Sequence, residues 1–231
     1  MRKHIIAFLL GSIFILTGCK NLGDTNTKVC KEEQETDYSS LYAEIISLDG
    51  LKNKDFQSEI NIMFQKDVED AITQFDSLAQ EAHAKLPAGV KSILRITQYV
   101  KRNKNDVISL IYEHYIYTGG AHGTASWYPF TIYVSEGNPK ILTLADLFTK
   151  DNYIERLNKI IDTMIEENPD IYSELWEEPH ITADNKNRFY MTDTELVIFF
   201  PPYELSYYAK GFVEFKIPLE ELYDILDERY N

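Results

Sequence analysis

The stretch that decides how the chain is arranged is residues 112–123, which read Tyr112-Glu113-His114-Tyr115-Ile116-Tyr117-Thr118-Gly119-Gly120-Ala121-His122-Gly123. The run leading into it, residues 107–117, is rich in β-branched and aromatic side chains, which favour a pleated strand. Three glycines within five residues then end the strand, because glycine permits positive φ and close backbone approach. We therefore predict a strand over residues 107–117 and a tight loop over residues 118–123.

This glycine loop has two interpretations. As a binding site, it would present Tyr117, Gly119, Gly120 and His122 to a ligand. As a structural turn, it needs no ligand, because Gly-Gly between two β-rich runs is an ordinary turn signal. His122 would then be a surface residue or a cap, and the sequence leaves both interpretations open.

Composition limits the partners that the chain can have. It has 231 residues with 16 Tyr and 12 Phe, and its formal net charge is -14. Removal of residues 1–18 would take away Arg2 and Lys3 and change the charge to -16. Such a field repels nucleic acid and attracts a basic partner, although solubility alone would also explain it.

The N-terminus is typical of a targeting segment. Basic residues precede an apolar run at 5–16, which is short for a membrane span. The next residues, Leu16-Thr17-Gly18-Cys19, resemble the lipobox of bacterial lipoproteins. We therefore expect a signal peptide at 1–18 and a mature protein anchored to the membrane by a fatty acid such as palmitate on Cys19, facing outside the cytoplasm. A plain signal peptide or an uncleaved anchor is the alternative. Cys30 is expected to be a lone thiol without an internal disulfide.

Three further segments follow from residue patterns. Residues 19–40 are polar and predict a flexible tether. Residues 41–120 form the expected N-terminal subdomain, with a strand at 41–48, a helix at 54–82 and a hairpin of strands at 90–100 and 107–117 around a basic loop at 101–106. Residues 121–231 form the expected C-terminal subdomain, with a helix at 151–168, a hairpin around 192–194, an aromatic loop at 201–211 and a C-terminal helix beginning at Pro218. The predicted fold class is α+β, with antiparallel sheets each packed against a long amphipathic helix in two closely packed subdomains.

No catalytic constellation is visible in the sequence. A nucleophile-elbow motif is missing, and the 37 acidic residues make any chosen carboxylate pair uninformative. We therefore expect no catalysis, no metal and no cofactor. The alternative is an envelope hydrolase or a peptidoglycan-modifying enzyme that uses His122 as a base with nearby carboxylates. Metal binding by Glu177, Glu178 and His180 follows no recognised spacing.

Three motifs in order carry a resemblance to a known family. They are residues 115–123, residues 142–148 (Leu142-Thr143-Leu144-Ala145-Asp146-Leu147-Phe148) and residues 199–211, which contain Pro201-Pro202-Tyr203-Glu204-Leu205 and Tyr208-Ala209-Lys210-Gly211. Over residues 41–226 the chain resembles the RsiV-like and PdaC-like extracytoplasmic domain pair, whose domains are largely of unknown function. The resemblance implies two adjoining α+β domains, and in RsiV-like proteins this region binds lysozyme. Anti-sigma signalling is not expected to transfer, since a transmembrane helix and a cytoplasmic anti-sigma segment are not evident in the sequence. Deacetylase activity is not expected to transfer either, since a separate deacetylase domain is not evident.

The expected function is thus a lipid-anchored binding module of the cell envelope. Its partner would be a basic protein such as lysozyme or a cell-wall glycan. Trp127, Tyr203, Tyr207 and Tyr208 are candidate contact residues, since exposed aromatic rings stack on sugars and anchor protein interfaces. The alternatives are that these rings fill the core, or that the protein is a structural or assembly factor of the envelope.

Overall fold

The computed structural model describes residues 15–21, 27–182 and 185–230. Most of the predicted signal peptide, residues 1–14, lies outside these described residues. The chain divides into two compact units, of which the first combines Met1–Gln98 with Glu113–Ser126 and the second combines Tyr99–Tyr112 with Trp127–Asn231. Strands and helices mix in both units, which confirms the α+β class.

The first unit begins with antiparallel strands. β1 (Ile15–Asn21) pairs with β2 (Thr27–Glu35), which pairs with β3 (Ser39–Leu48). Thr27 and Val29 are buried, and Val29 lies opposite Ile46 of β3. The prediction of a flexible tether is therefore wrong for residues 27–35. A polar segment can still form a strand when alternate positions on one face are buried.

The helix predicted at 54–82 is present as α1 (Lys54–His83). The Phe56 backbone N–H donates to Asn53 Oδ1 at 2.9 Å, which caps the helix start. Its buried residues recur at four- or seven-residue spacing: Ile60, Phe64, Val68, Phe75 and Ala79. α1 leads to β4 (Ser92–Lys104), which pairs with β3 in parallel. The expectation of purely antiparallel sheets is thus corrected, because a connection that contains a helix is long enough for a parallel crossover.

The basic loop predicted at 101–106 is shorter than expected. β4 continues to Lys104, and β5 (Val107–Tyr117) begins after a turn of two residues, Asn105 and Asp106, with φ of 52° and 57°. Positive φ at both central residues is the geometry of a type I′ hairpin turn. Lys101 and Arg102 therefore lie on a strand and not at a loop tip. After the glycine loop, β6 (Thr124–Tyr133) follows.

The second unit contains the C-terminal elements. These are β7 (Lys140–Ile141), α2 (Tyr153–Glu167), α3 (Pro169–Tyr172), β8 (Phe189–Met191), β9 (Glu195–Phe200) and β10 (Val213–Pro218). Strands β10, β9 and β8 form an antiparallel sheet in that order. The predicted C-terminal helix is wrong, because the chain forms short 3₁₀ turns at Leu219–Leu222 and Glu228–Tyr230. The buried residues Leu219, Leu222 and Ile225 recur every third position, which matches three residues per turn.

The core of the second unit joins the α2 helix to the small sheet. Leu157, Ile160 and Ile161 of α2 belong to one buried cluster with Phe200 and Phe215. A buried polar contact lies elsewhere in this unit. The Met191 backbone N–H donates to Ser109 Oγ at 2.9 Å, and the same Oγ lies 2.9 Å from Thr131 Oγ1.

The expected boundary at residues 120 and 121 does not separate the two units. The first seven strands are ordered β1-β2-β3-β4-β5-β6-β7, and β4, β5 and β6 each contribute residues to both units. The reason is that each of these three strands is long enough to take part in two packing environments.

The termini and cysteines add two observations. None of the helices in the described ranges combines the length and apolar character that crossing a membrane requires. Cys30 is disulfide-bonded, so the expectation of a lone thiol is wrong. Cys19 lies on β1 and is the other of the two cysteines in the chain.

His114 on β5 gives a prediction for stability against pH. Burial lowers the pKa of His114 from its usual 6.5 to about 4, so the folded protein holds the ring neutral where the unfolded chain binds a proton. Stability should therefore fall as the pH decreases from about 6.5 towards 4, by an amount on the order of 1 kcal/mol at pH 5. Urea unfolding of the parent and of His114→Gln at pH 7 and pH 5 measures this contribution. The variant should lose less stability between the two pH values, and equal losses would contradict the assignment.

Candidate functional site

The glycine loop of the first unit is held by its own residues. Tyr117 Oη donates to the Gly120 carbonyl oxygen at 3.3 Å. His122 Nδ1 lies 2.8 Å from the Gly123 carbonyl oxygen, a distance at which a protonated Nδ1 donates. Gly119 and Gly120 have φ of 114° and 92°, which only glycine adopts readily. The loop therefore brings together the four residues predicted here, with Gly120 and His122 exposed.

Close packing explains two of the three glycines. A Cβ at Gly123 would lie 2.4 Å from Tyr115 Cζ and 2.7 Å from the Ile116 carbonyl oxygen. A Cβ at Gly119 would lie 2.7 Å from Leu86 Cδ2, whereas one at Gly120 would meet nothing within 4 Å. Gly119 and Gly123 thus have structural reasons to be glycine, which supports the turn interpretation for these two positions.

A second group of candidates forms an exposed aromatic surface in the second unit. We define the aromatic surface as Ile171, Trp176, Tyr203, Tyr207 and Tyr208. Ile171 and Tyr203 are each 59% exposed, Trp176 is 54% exposed and Tyr207 is 42% exposed. The Tyr203 and Tyr208 rings lie 5.6 Å apart between centroids. Large apolar side chains seldom gather on a surface unless it binds something.

Hydrogen bonds connect the two segments that carry this surface. Tyr207 Oη donates to Glu174 Oε1 at 2.6 Å, and Lys210 Nζ donates to Glu174 Oε2 at 3.0 Å. These donors lower the pKa of Glu174, with the Tyr207 hydroxyl making the larger contribution, and Glu174 in turn raises the pKa of Tyr207. The Trp176 indole N–H donates to the Glu204 carbonyl oxygen at 3.1 Å. The polar ends of Trp176 and Tyr207 are thus bonded within the protein while their rings stay exposed.

Tyr203 has an unusual backbone. Its φ is 71°, a left-handed conformation that is costly for an aromatic residue. The Tyr203 N–H donates to the Ser206 carbonyl oxygen at 3.1 Å, and the Glu204 N–H donates to the Pro201 carbonyl oxygen at 3.2 Å. The turn therefore holds Tyr203 outward at an energetic cost, which is typical of functional loops.

Trp127 differs from the tyrosines. Its ring stacks on Phe212 at a centroid distance of 3.9 Å and meets Phe199 edge-on at 5.3 Å. Trp127 therefore packs against other rings of the protein and does not belong to the aromatic surface, and its contact with a ligand stays a prediction. Trp176 and Ile171 are not among the residues predicted from sequence, because the irregular acidic segment around them has no pattern that indicates exposed rings.

The weak metal motif itself has a different environment. His180 Nε2 lies 3.8 Å from Asp162 Oδ1 on α2. Among the residues that the structure describes, no group of three or more His, Cys, Asp or Glu side chains is placed to hold a metal ion. Glu177 and Glu178 are exposed and border the aromatic surface in sequence.

The Gly123 contacts predict the effect of a small substitution. Gly123→Ala should destabilise the protein by about 1–3 kcal/mol, because the new methyl group would overlap the Tyr115 ring and a carbonyl oxygen. Gly137→Ala is the matched control, since a Cβ there meets nothing within 4 Å. Thermal and urea unfolding of both variants measures the difference. A Gly123→Ala protein as stable as the control would show that the loop is not packed as described.

Comparison with protein families separates the chain into two regions. The family model described as "Deacetylase PdaC" matches residues 32–125, and the model described as "Protein of unknown function (DUF3298)" matches residues 145–220. The glycine loop lies within the first region, and the aromatic surface lies within the second. Trp127 falls between them.

Two curated proteins from Bacillus subtilis (strain 168) are similar over most of the chain. Anti-sigma-V factor RsiV is 29% identical over 210 residues, which cover 86% of this chain and 70% of RsiV. Peptidoglycan-N-acetylmuramic acid deacetylase PdaC is 25% identical over 183 residues, which cover 78% of this chain and 38% of PdaC. The chain therefore spans well under half of the deacetylase.

Solved structures of the DUF3298 family share the fold. A member from Bacteroides fragilis NCTC 9343 superposes with a TM-score of 0.70 at 17% identity, covering 91% of this chain and 96% of that one. A member from Pseudomonas aeruginosa PAO1 gives a TM-score of 0.56 at 13% identity, covering 96% of both chains. At these identities the likeness shows the fold alone. Together the comparisons show a region similar to the PdaC family followed by a region similar to the DUF3298 family, which is consistent with an RsiV-like and PdaC-like domain pair.

Proposed function

We propose that the chain is a binding module of the cell envelope that recognises a basic protein, with lysozyme as the first candidate. The observation that carries this proposal is the aromatic surface, where exposed rings are fixed by hydrogen bonds at their polar ends. Aromatic anchors held in this way bind with little loss of side-chain freedom. The similarity to RsiV supports the choice of lysozyme, because the resemblance to RsiV-like proteins implies that ligand.

Charge supports a basic partner. The chain carries a formal net charge of -14, and Asp170, Glu174, Glu177 and Glu178 are exposed in the segment that carries Trp176. Attraction between an acidic surface and a basic protein raises the association rate and fixes the orientation of approach. Burial of the rings then determines how slowly the complex dissociates.

A glycan is the second candidate. Its support is the neighbouring Tyr203 and Tyr208 rings together with the PdaC region, whose curated relative is named as a peptidoglycan deacetylase. Rings exposed on a surface stack on sugars as well as on proteins. We assign no catalytic step to the chain. In the alternative enzyme hypothesis, His122 would act as the base from the exposed glycine loop.

Lysozyme binding is tested by calorimetric titration of residues 20–231 with a c-type lysozyme at low and physiological salt. We expect saturable binding that survives physiological salt, because buried rings are not screened as surface charges are. Tyr203→Ala and Trp176→Ala should each weaken binding by about tenfold or more, as is usual for anchor residues. Tyr223→Ala is the matched control, since Tyr223 is 58% exposed outside the aromatic surface.

Three other results would contradict lysozyme binding or the aromatic surface as the contact. Binding at low salt alone would show nonspecific attraction between opposite charges. Equal effects of Tyr203→Ala and Tyr223→Ala would show that the aromatic surface is not the contact. With no binding at all, the lysozyme assignment fails, and cell-wall glycan fragments are titrated next.

We further propose that Cys19 carries a lipid that anchors the module outside the cytoplasm. Cys30 is disulfide-bonded in the structure, whereas a lipid thioether on Cys19, the other cysteine of the chain, would leave Cys30 as a free thiol in the mature protein. The lipid and an intramolecular disulfide are therefore alternatives. Processing before Cys19 would also remove Ile15, Leu16 and Thr17, which pair with Glu33, Glu32 and Lys31 of β2.

Metabolic labelling with a fatty acid in a bacterial host separates these alternatives. The label should be incorporated by the parent and by Cys30→Ser, and should be lost in Cys19→Ser, because only Cys19 follows the lipobox. Mass spectrometry of the membrane fraction should then find a mature chain that begins at Cys19. A disulfide-linked parent without label would exclude the anchor.

A further inference from the structure

The Lys101 ammonium lies among three aromatic rings of the second unit. Lys101 Nζ is 5.0 Å from the Tyr190 ring centroid, 5.5 Å from that of Tyr99 and 5.9 Å from that of Trp127. The rings come from β8, β4 and β6, so elements distant in sequence converge on one cation. Ammonium groups within about 6 Å of several ring faces are attracted by the ring quadrupoles. We call these three rings the aromatic cage.

Contacts other than Lys101 hold the walls of the cage. Trp127 stacks on Phe212 with an interplanar angle of 7° and meets Phe199 edge-on. Tyr190 is buried, and its hydroxyl donates to Glu214 Oε1 at 2.5 Å. Burial, together with the neighbouring Glu214 carboxylate, raises the pKa of Tyr190, so the phenol stays neutral. The Trp127 and Tyr190 walls should therefore persist when Lys101 is absent.

The Lys101 ammonium has fewer kinds of contact than the Trp127 and Tyr190 walls have. Within the described part of the chain, the partners of its ammonium are rings, and it forms no ion pair with a carboxylate. Tyr99 is 44% exposed, so one wall of the cage borders solvent. The lysine can exchange the rings for water by rotation of its flexible side chain. An aromatic cage whose occupant can leave is open to another cation of the same chemistry.

We propose that the aromatic cage is a binding site for an organic cation, closed in the free protein by Lys101. The ligand class is an alkylammonium group, either a free quaternary ammonium compound or the side chain of a lysine. Binding requires only that Lys101 moves out, with no covalent step. This site is separate from the aromatic surface, and the proposal does not rest on lysozyme binding.

The first test uses the full chain with Trp176→Phe, which leaves Trp127 as the single tryptophan. Its fluorescence is titrated with tetramethylammonium chloride and with Nα-acetyl-lysine amide, whose side-chain ammonium is free. Sodium chloride at equal ionic strength is the control. Addition of Lys101→Ala should give a saturable change with at least tenfold higher affinity, because the internal competitor is gone. A further Tyr99→Ala substitution should abolish that gain. The organic cation that binds more tightly identifies the source of the ligand.

A second measurement uses the unaltered protein, in case Lys101→Ala does not fold. Acylation of Lys101 by an amine-reactive ester, followed by mass spectrometry, should accelerate as tetramethylammonium displaces the lysine from the rings. Lys85, an exposed lysine of the first unit, provides the internal control. No saturable fluorescence change in folded Lys101→Ala, an equal response to sodium chloride, or an unchanged acylation rate for Lys101 would each overturn the proposal.

Discussion

The hydrogen bond from the Met191 N–H to Ser109 Oγ is the polar contact on which the second unit depends. Residues 107–112 of β5 are buried on both faces, and Ser109 is the one small polar side chain among otherwise aliphatic or aromatic ones. β8 is an edge strand of the small sheet, so a buried donor on it needs a partner outside that sheet. Ser109 supplies this partner and also contacts Thr131 on β6. The placement of β8 then fixes β9, and the loop that carries Tyr203 leaves directly from the end of β9.

The position of the aromatic surface depends in turn on this sheet, because the loop that carries Tyr203 begins where β9 ends. The loop after β9 is fixed by its own backbone hydrogen bonds, and Glu174 joins it to the segment after α3. Because Glu174 accepts from both Tyr207 and Lys210, its negative charge is partly compensated where the rings meet solvent. The remaining exposed carboxylates, Asp170, Glu177 and Glu178, are neighbours of Ile171 and Trp176 in the sequence. The surface therefore combines an apolar centre with an acidic border, which is a complement to a basic protein with an apolar contact region.

Long periodic elements were predictable from sequence, and pairings between distant segments were not. The helix at 54–82 and the strand at 107–117 were found almost as predicted, because each has a continuous pattern that packing reinforces. β2 was missed since only Thr27 and Val29 carry the burial signal in a polar segment. The parallel pairing of β3 with β4 leaves no local trace in the sequence. For the candidate site, the sequence predicts loops at residues 118–123 and 201–211, and the structure has loops there. Trp176 is not predicted, because nothing in the irregular segment around it indicates that its ring is exposed.

The two tryptophans show why residue type alone does not identify a binding surface. Trp127 lies on an alternating strand, and Phe199 and Phe212 arrive from more than seventy residues away to cover its ring. Trp176 lies in an irregular acidic segment, and its indole N–H is bonded to the Glu204 carbonyl oxygen while the ring is 54% exposed. In the first case tertiary contacts turn an aromatic residue into a wall that faces Lys101. In the second, a hydrogen bond fixes the indole N–H while the ring stays exposed to solvent, where a partner can bury it.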